Sequence, residues 1–473
     1  MTLTPATRRW AVLLLGCAAG WLFLLCGANL LAGIPPNRDE IEHAHAAWML
    51  ARGLRPYVDF FEHHYPGLWQ LLAVYPRLFP DAGPEILYWG RFLCLLAAGL
   101  SSWLVYRIAS HIRSPLAGWL SIVLWIPVAI PCRAASIRPE MPACVMQLGA
   151  MDCLLRFREG RRRDASLFAY SALLAGGAVY FTPRAIFWAT VLFLSQARRM
   201  NARQKLLWSA GAALGPALIL WQVGWKDSWH WLVYFNTHLT SFEAVPHHLI
   251  RLPDVTFMSF ALLAPLYAVW RRDRRLFELS VVYLMAMIPP LFLEKAPYDQ
   301  GFSCAAPLAV LLLVSCAGVP TVLAAFPFLW AWPYAQWFLR IPREDFLGQY
   351  IRRNSAVCRL LKTETALFNP IQHPIGARDA TYYWFAVKQF QNPRLSGAPF
   401  RFIEEFTARR PALISHAYLA QLIKADAVHG KDLGDYVRTH YVMGHDRSYW
   451  VRADLARRTP SKPLQVRPAV RSL

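Results

Sequence analysis

Charge is scarce in this chain. Asp, Glu, Lys and Arg make up 17% of its 473 residues, against roughly 25% in an ordinary soluble domain. A water-soluble protein of this length is therefore a poor fit. Acidic residues are the scarcer sign, 29 against 50 Lys and Arg, for a net charge of +21. That excess invites a nucleic-acid partner, but its distribution excludes one. Up to Phe338 the basic residues cluster in short turns between apolar blocks, as membrane topology selects. There is no CxxC pair, and Cys17, Cys26, Cys94, Cys144, Cys153, Cys304 and Cys316 lie in apolar blocks. This excludes a cysteine zinc site and a disulfide framework, and the thiols read as small buried hydrophobes. Internal repeats and low-complexity segments are also missing.

What is present is apolar: 56% of the residues, with 20 Trp. Trp10 to Leu31 carries no charge and is long enough to cross a bilayer as a helix. Arg8 and Arg9 flank it as they would a signal peptide. The stretch outruns a signal core, however, and no small-x-small cleavage site ends it, so a retained anchor is expected. Further candidate spans run near 87–109, 116–131, 140–155, 166–181, 185–197, 206–224, 255–270, 276–293, 302–317 and 319–338. The expected fold is an α-helical polytopic membrane protein with about eleven transmembrane helices, residues 1–339. A small soluble α/β domain follows at 340–457, then a disordered tail at 458–473. The basic turns RFREGRRRD, RRMNARQK and RRDRR all fall on one side of that topology, which the positive-inside rule makes cytoplasmic. The expected localisation is multi-pass in the inner (plasma) membrane, with the first loop and the C-terminal domain extracytoplasmic. In the tail, 22 Lys and Arg face 11 Asp and Glu. Leu413–Ser415 and Tyr449–Val451 read as strands, and His416–Ile423 and Tyr436–Tyr441 as helices.

The first outer loop, Gly33–Glu85, stands apart. Asp39 and Glu40 open a segment with helical character from Ile41 to Arg52, its apolar stripe being Ala44, Ala47, Trp48 and Ala51. Such a helix would lie in the interface. Gly53-Leu54-Arg55-Pro56 then breaks it. Tyr57 to Pro66 packs two carboxylates, two imidazoles and four aromatic rings into ten residues. An interface belt accounts for the rings but not for Asp39, Glu40, Asp59, Glu62 and the histidines. A carboxylate beside a desolvating wall can act as a general base or hold a cation. His43 and His45 are two apart and point to different faces of a helix. Neither they nor the adjacent His63-His64 make a shared metal motif, and no metal ligand is assigned.

Asp39-Glu40 after the first span, a short helix, and then PYVDFFEHHYPGLW resemble the first periplasmic loop of the GT-C superfamily. The nearest branch holds the protein O-mannosyltransferases and the transferase that puts aminoarabinose on lipid A, glycosyltransferase family thirty-nine. Phe61-Glu62-His63-His64-Tyr65-Pro66 stands where that branch has a Phe-Glu-Lys-Pro-Pro type segment. Arg138-Pro139-Glu140 and Lys295-Ala296-Pro297-Tyr298-Asp299-Gln300, with Pro307 beyond, extend the likeness across roughly residues 8–320. His63 replaces the usual Lys, so a phosphate contact there requires a protonated His63 or another cation.

The resemblance implies a membrane glycosyltransferase that uses a polyprenyl-phosphate sugar donor. The acceptor would be a lipid, glycan or protein, and a single displacement would invert the anomeric carbon. Asp39 is the expected base, with Glu40 and Glu62 completing the catalytic carboxylates. His63, Tyr65, Arg138, Glu140, Arg184, Lys295 and Tyr298 are expected to bind substrate, the cations meeting the donor phosphate. A divalent cation at the acidic first loop is compatible with this, and nucleic acid is not a partner. Each arginine also has a plain reading as a snorkelling interface anchor. Trp225–Asp254, with Trp229, Trp231, His238, His247 and His248, is either a cover over the acceptor or an interfacial loop. The competing class is a lipid-linked sugar flippase or transporter, which would place ionisable groups within the spans. Asp152 is the clearest charge near one.

Overall fold

The computed structural model of the chain describes residues 33–129, 136–158, 165–198, 200–236, 263–287, 304–316, 345–361, 364–368, 373–382, 402–425, 430–444, 447 and 449–456, with isolated positions in the first apolar block. Lys295, Tyr298, His238, His247, His248, the last candidate span, the tail beyond residue 456 and most of the first span lie outside the described residues.

A helix in the first loop, α1 (Arg38–Ala51), precedes the apolar helices. These are α2 (Ile86–Ile112), α3 (Pro115–Ala129), α4 (Glu140–Arg158), α5 (Ala165–Phe181), α6 (Ala185–Ala197) and α7 (Ala202–Val223). After a π-helical turn, Ser228–Phe235, come α8 (Ala264–Trp270), α9 (Arg274–Ala286) and α10 (Ala306–Cys316). Their positions match candidate spans read from the sequence. Only α2 and α7 of the described helices are both long and apolar enough to cross a membrane, while stretches of α3, α5, α6 and α10 are apolar but shorter. The expected count of about eleven spans is therefore not reached among the described residues.

The apolar helices share one core, with Val105, Trp125, Leu148, Trp188, Tyr283 and Leu311 at its centre. The outward faces remain apolar: Leu206, Trp221 and Leu266 are exposed. A soluble protein would cover such residues, and a lipid-facing surface leaves them out. The α5–α7 contact depends on small residues. A Cβ on Gly215 would lie 1.9 Å from the Gly176 carbonyl oxygen, and one on Gly176 would lie 2.6 Å from that of Gly211. Close backbone approach through glycine is the standard device where no hydrophobic effect pulls helices together.

The C-terminal part is a mixed α/β unit, as expected. It opens with α11 (Phe346–Leu361) and has a five-stranded sheet, β1 (Thr365–Leu367), β2 (Arg378–Asp379), β3 (Leu413–Ser415), β4 (Tyr441–Met443) and β5 (Tyr449–Arg452). The strand order is β2-β1-β3-β5-β4. β1 runs parallel to β2 and β3, while β5 runs antiparallel to β3 and β4. Helices Phe402–Arg409, His416–Ala425 and Gly430–His440 accompany it, and Phe406, Ile414, Leu419 and Val437 fill the core between them and the sheet. One boundary differs from the sequence expectation. The helix expected at Tyr436–Tyr441 begins at Gly430, and Tyr441 already belongs to β4. Gly430 and Gly434 hide the helical period that Leu433 and Val437 supply.

Replacing Gly215 by Val forces α5 and α7 apart, and overpacking of this kind costs about 1–3 kcal/mol. We expect Gly215→Val to lower the melting temperature in detergent, whereas Leu206→Ala on the same helix, exposed, leaves it unchanged. Equal melting of both variants and the parent would contradict the close-packed α5–α7 interface.

Candidate active site

α1 is built to start where it does. The Asn37 side chain accepts from the Asp39 and Glu40 amides at 3.0 and 3.1 Å, and Glu40 Oε2 accepts from the Asn37 amide at 3.0 Å. This capping box satisfies amides that the first turn leaves orphaned. Asp39 and Glu40 also suit the positive end of the helix dipole.

Glu40 is buried and faces Arg91 of α2, which donates Nε and Nη2 to its two oxygens at 2.8 Å each. Arg91 Nη1 also donates to the Ile34 carbonyl, and the Ile137 amide lies 3.3 Å from Glu40 Oε1. Both oxygens of Glu40 are thus engaged by protein donors. The sequence groups Glu40 with Asp39 as a catalytic carboxylate; in the structure its oxygens accept from Arg91 and from backbone amides. Asp39 points elsewhere and pairs with Arg138. Its side chain is 33% exposed, whereas those of Glu40, Glu42 and Glu62 are 2% exposed or less. Glu140, at the start of α4, accepts from Arg184 Nη1 at 2.9 Å. Each acidic side chain thus meets a cation from another segment of the chain.

One helical turn beyond Asp39, on the same face of α1, Glu42 meets the second half of the loop. The chain reverses between Arg55 and Phe60. Tyr57 adopts a positive φ of 69° there, a costly conformation for a bulky residue. Three bonds hold it: the Tyr57 amide donates to the Phe60 carbonyl, the Tyr57 hydroxyl donates to the His64 carbonyl, and Tyr382 Oη donates to the Tyr57 carbonyl. The reversal brings Glu62, His63 and His64 against Glu42. His64 Nδ1 lies 2.9 Å from Glu62 Oε1 and 3.4 Å from Glu42 Oε1, and His63 Nδ1 lies 3.6 Å from each of the same two oxygens. Asn236, just past the π-helical turn, donates to the His63 carbonyl at 2.7 Å. Trp231 and Phe235 of that turn pack edge-on to Phe61.

Two buried carboxylates so close cannot both ionise without a cation. Burial, and then Glu62, push Glu42 up to about 8. Burial works against a charged His64, but Glu42 and Glu62 outweigh it and push this imidazole up to about 10. His63 moves the other way: burial first, and then the charge on His64, hold it well below the usual imidazole range. Of the two adjacent imidazoles, His64 favours the charged form and His63 the neutral one. His43 is also held low by burial, and its Nδ1 accepts from Trp69 Nε1 at 3.1 Å. His43 and His45 do face different neighbours, as their spacing predicts.

Tyr65 is half-buried beside this cluster in the same core, and Arg138 and Arg184 are each in an ion pair. Asp59 is outside the site: it is partly exposed and paired to Arg55 within its own turn. Asp152 lies 3.1 Å from Arg107 and 3.3 Å from Arg156 and is in an ion pair with each. Sequence reasoning passed over Glu42 and the charge on His64. The available signal was the i, i+3 relation of Glu42 to Asp39, which carried no information about Glu62 until the loop folded back.

No protein-family model matches the sequence, and no curated protein matches it. Solved structures do. ArnT from Cupriavidus metallidurans bound to undecaprenyl phosphate aligns with a TM-score of 0.52 at 14% identity, over 74% of this chain and 72% of that one. The Archaeoglobus fulgidus oligosaccharyltransferase tethered to an acceptor peptide containing the NVT sequon aligns at 0.52 and 11%, over 96% and 75%. The same archaeal enzyme, AglB, with an inhibitory peptide and a dolichol-phosphate aligns at 0.52 and 11%, over 98% and 76%. The chain shares the fold of these solved structures. In it, α1 and the Tyr57–Pro66 segment precede the apolar helices from α2 onward, and the sheet domain follows them.

Two outcomes test the geometry. Arg91→Met leaves Glu40 buried and uncompensated, which costs about 3–5 kcal/mol. The unfolding midpoint should drop steeply and be largely restored in the double variant Arg91→Met/Glu40→Met. The second outcome concerns pH. Both shifts are upward, so the stability they contribute is complete below the unfolded values and is lost as pH rises through the folded ones. The window runs from 4.5 to about 8 for Glu42 and from 6.5 to about 10 for His64. Melting temperature should therefore fall on alkalinisation, and Glu42→Gln should flatten the lower half of that fall. Identical pH profiles for parent and variant would refute the Glu42 assignment.

Proposed function

We propose that the chain is a membrane glycosyltransferase that moves a sugar from a polyprenyl-phosphate donor to an acceptor outside the cytoplasm. The observation that carries this reading is Asp39: an acidic side chain in the first turn of α1, aimed by Arg138 and still one-third exposed, while Glu40, Glu42 and Glu62 are closed off. Among the acidic groups of this cluster it is the one an acceptor can reach. The shared fold supports the reading, since one structure of that fold holds undecaprenyl phosphate and another holds a dolichol-phosphate.

The acceptor hydroxyl, or a similar nucleophile, attacks the anomeric carbon while the bond from that carbon to the lipid phosphate oxygen breaks. Asp39 orients the nucleophile and takes its proton. The polyprenyl phosphate leaves with the bonding electrons, and a single displacement inverts the anomeric centre. Arg138 and Arg184 sit on the outer side with Asp39 and Glu140 and supply fixed positive charge for the developing phosphate. Lys295 and Tyr298, outside the described residues, are assigned to the same phosphate by resemblance. Glu140 and Tyr65 line the sugar and acceptor side. Glu40 serves by holding α1 in place.

Glu42, Glu62, His63 and His64 would also hold a divalent cation. Their donor atoms all lie within 4.8 Å of one another. Glu42 Oε1, Glu62 Oε2 and His63 Nδ1 are buried without a hydrogen-bond partner, which fits such an ion. When bound it would supply positive charge at the loop in place of the proton on His64. The placement of this module in the inner membrane, with α1 and the sheet domain on the extracytoplasmic side, belongs to the same reading.

Asp39→Asn is the test. General-base loss typically costs about 10²–10⁴-fold in rate. We expect transfer from a polyprenyl-phosphate sugar to fall by that order while insertion and binding of the polyprenyl phosphate are retained. Undiminished transfer by the variant removes Asp39 from the mechanism. A deletion strain whose lipids and proteins keep every sugar by mass spectrometry removes the enzyme reading altogether.

A further inference from the structure

A second polar cluster lies one helical turn beyond Glu42 on α1, where that helix meets the sheet domain. His45 of α1 is completely buried. Its Nε2 lies 3.1 Å from Asp379 Oδ2 in β2 and 3.2 Å from His373 Nε2 in the segment that leads into that strand. His373 Nε2 in turn lies 3.1 Å from Asp379 Oδ1. Side-chain exposure at the three positions is 0%, 2% and 7%. We propose that His45, His373 and Asp379 bind a divalent transition-metal ion of the zinc class, which clamps the sheet domain onto α1.

The argument begins with protons. Three short contacts join two Nε2 atoms and an ionised carboxylate. Each Nε2 carries at most one hydrogen and the carboxylate none. Two hydrogens at most serve three contacts, and an Nε2 that donates to the carboxylate cannot also accept from the other ring. No assignment of protons makes all three contacts favourable, whereas a central cation draws on a lone pair from each. Asp379 supports this directly. Its Oδ1 is buried and accepts no well-directed hydrogen bond, although His373 Nε2 is close by. It is placed as a ligand atom would be.

Distance points the same way. Ligand bonds of about 2.0–2.2 Å set donor atoms about 3.0 Å apart at a right angle and about 3.4 Å apart tetrahedrally. The observed 3.1–3.2 Å falls between them. Two imidazoles and one carboxylate are a donor set for zinc or a neighbouring first-row ion, not for calcium or magnesium, which take oxygen ligands. A fourth position is left for water. The ligands are also braced. The Asp379 carbonyl accepts from Arg409 Nη1 at 3.1 Å, the His373 carbonyl accepts from Tyr350 Oη at 2.9 Å, and the His45 ring stacks on Trp48. Such outer contacts orient metal ligands. The three ligands come from positions 45, 373 and 379, so the ion would close a loop of more than three hundred residues and fix the domain where Tyr382 reaches Tyr57.

The site is separate from the Glu42 cluster and does not depend on glycosyl transfer, so it is tested by metal content. The full chain, purified in detergent and stripped with chelator, is dialysed against zinc or cobalt. We expect one bound equivalent to persist in Glu42→Gln, with any further equivalent in the parent belonging to the Glu42 cluster and lost there. It should be weakened in His373→Gln and Asp379→Asn by more than the about 10–100-fold typical of losing an outer contact. Cobalt should give a visible absorption band in the parent that these two variants lack. Zinc should raise the melting temperature of the stripped parent, a readout that needs no substitution. The proposal is overturned if the stripped parent binds no metal and shows no thermal shift. It is equally overturned if the bound equivalent survives in His373→Gln and Asp379→Asn, or disappears in Glu42→Gln alone.

Discussion

The buried pair between Glu40 and Arg91 holds α1 against α2, and most of the site depends on how α1 is held. A helix of fourteen residues has little stability of its own in water. Here it is started by the Asn37 capping box and anchored at its first turn by a buried, two-pronged ion pair. Once that turn is fixed, the 3.6-residue period distributes the remaining side chains without further choice. Asp39 meets Arg138, Glu42 and His43 meet the returning loop, and His45 meets the sheet domain. A rotation of α1 by one residue would send each of these groups to the wrong neighbour.

The electrostatics follow from the same arrangement. Buried carboxylates are costly unless paired, and the fold supplies their partners from distant segments: Arg91 from α2, Arg138 and Arg184 from the turns before α4 and α6, and His64 from the far end of the loop. Each pairing joins two segments, so compensation of charge and assembly of the site are one process. The Glu42–Glu62 pair is the least comfortable of these. It is relieved by a proton on His64, and the strained backbone at Tyr57 belongs to the turn that delivers it. Strain and shifted protonation occur together here, as they do where function opposes stability.

The likeness to solved structures at 11–14% identity is intelligible on these terms. Apolar helices can exchange one lipid-facing residue for another freely, so sequence identity drains away while helix order and packing persist. The α5–α7 contact shows the limit of that freedom, because Gly176, Gly211 and Gly215 stand where backbone meets backbone. The polar first loop is restricted more tightly still, since Asp39, Glu40, Glu42 and Glu62 are each matched to a partner.

The sequence by itself determined the local features. Apolar blocks marked the helices, and the density of charge between Asp39 and Pro66 marked the loop that folds into the candidate site. The strands read at Leu413–Ser415 and Tyr449–Val451 were legible, the second to within one residue of the observed Tyr449–Arg452, because strand propensity acts over a few positions. Partnership was not legible. Nothing local to Glu40 says that Arg91 will take both of its oxygens, leaving Asp39 as the exposed acid. Nor does the run Glu62-His63-His64 reveal that Glu42 will turn His64 into the cation and leave His63 neutral. The junction of His45 with His373 and Asp379 spans most of the chain. These outcomes depend on distance and burial, which set the sign and size of an electrostatic interaction, and only the tertiary structure brings the groups near enough for either to act.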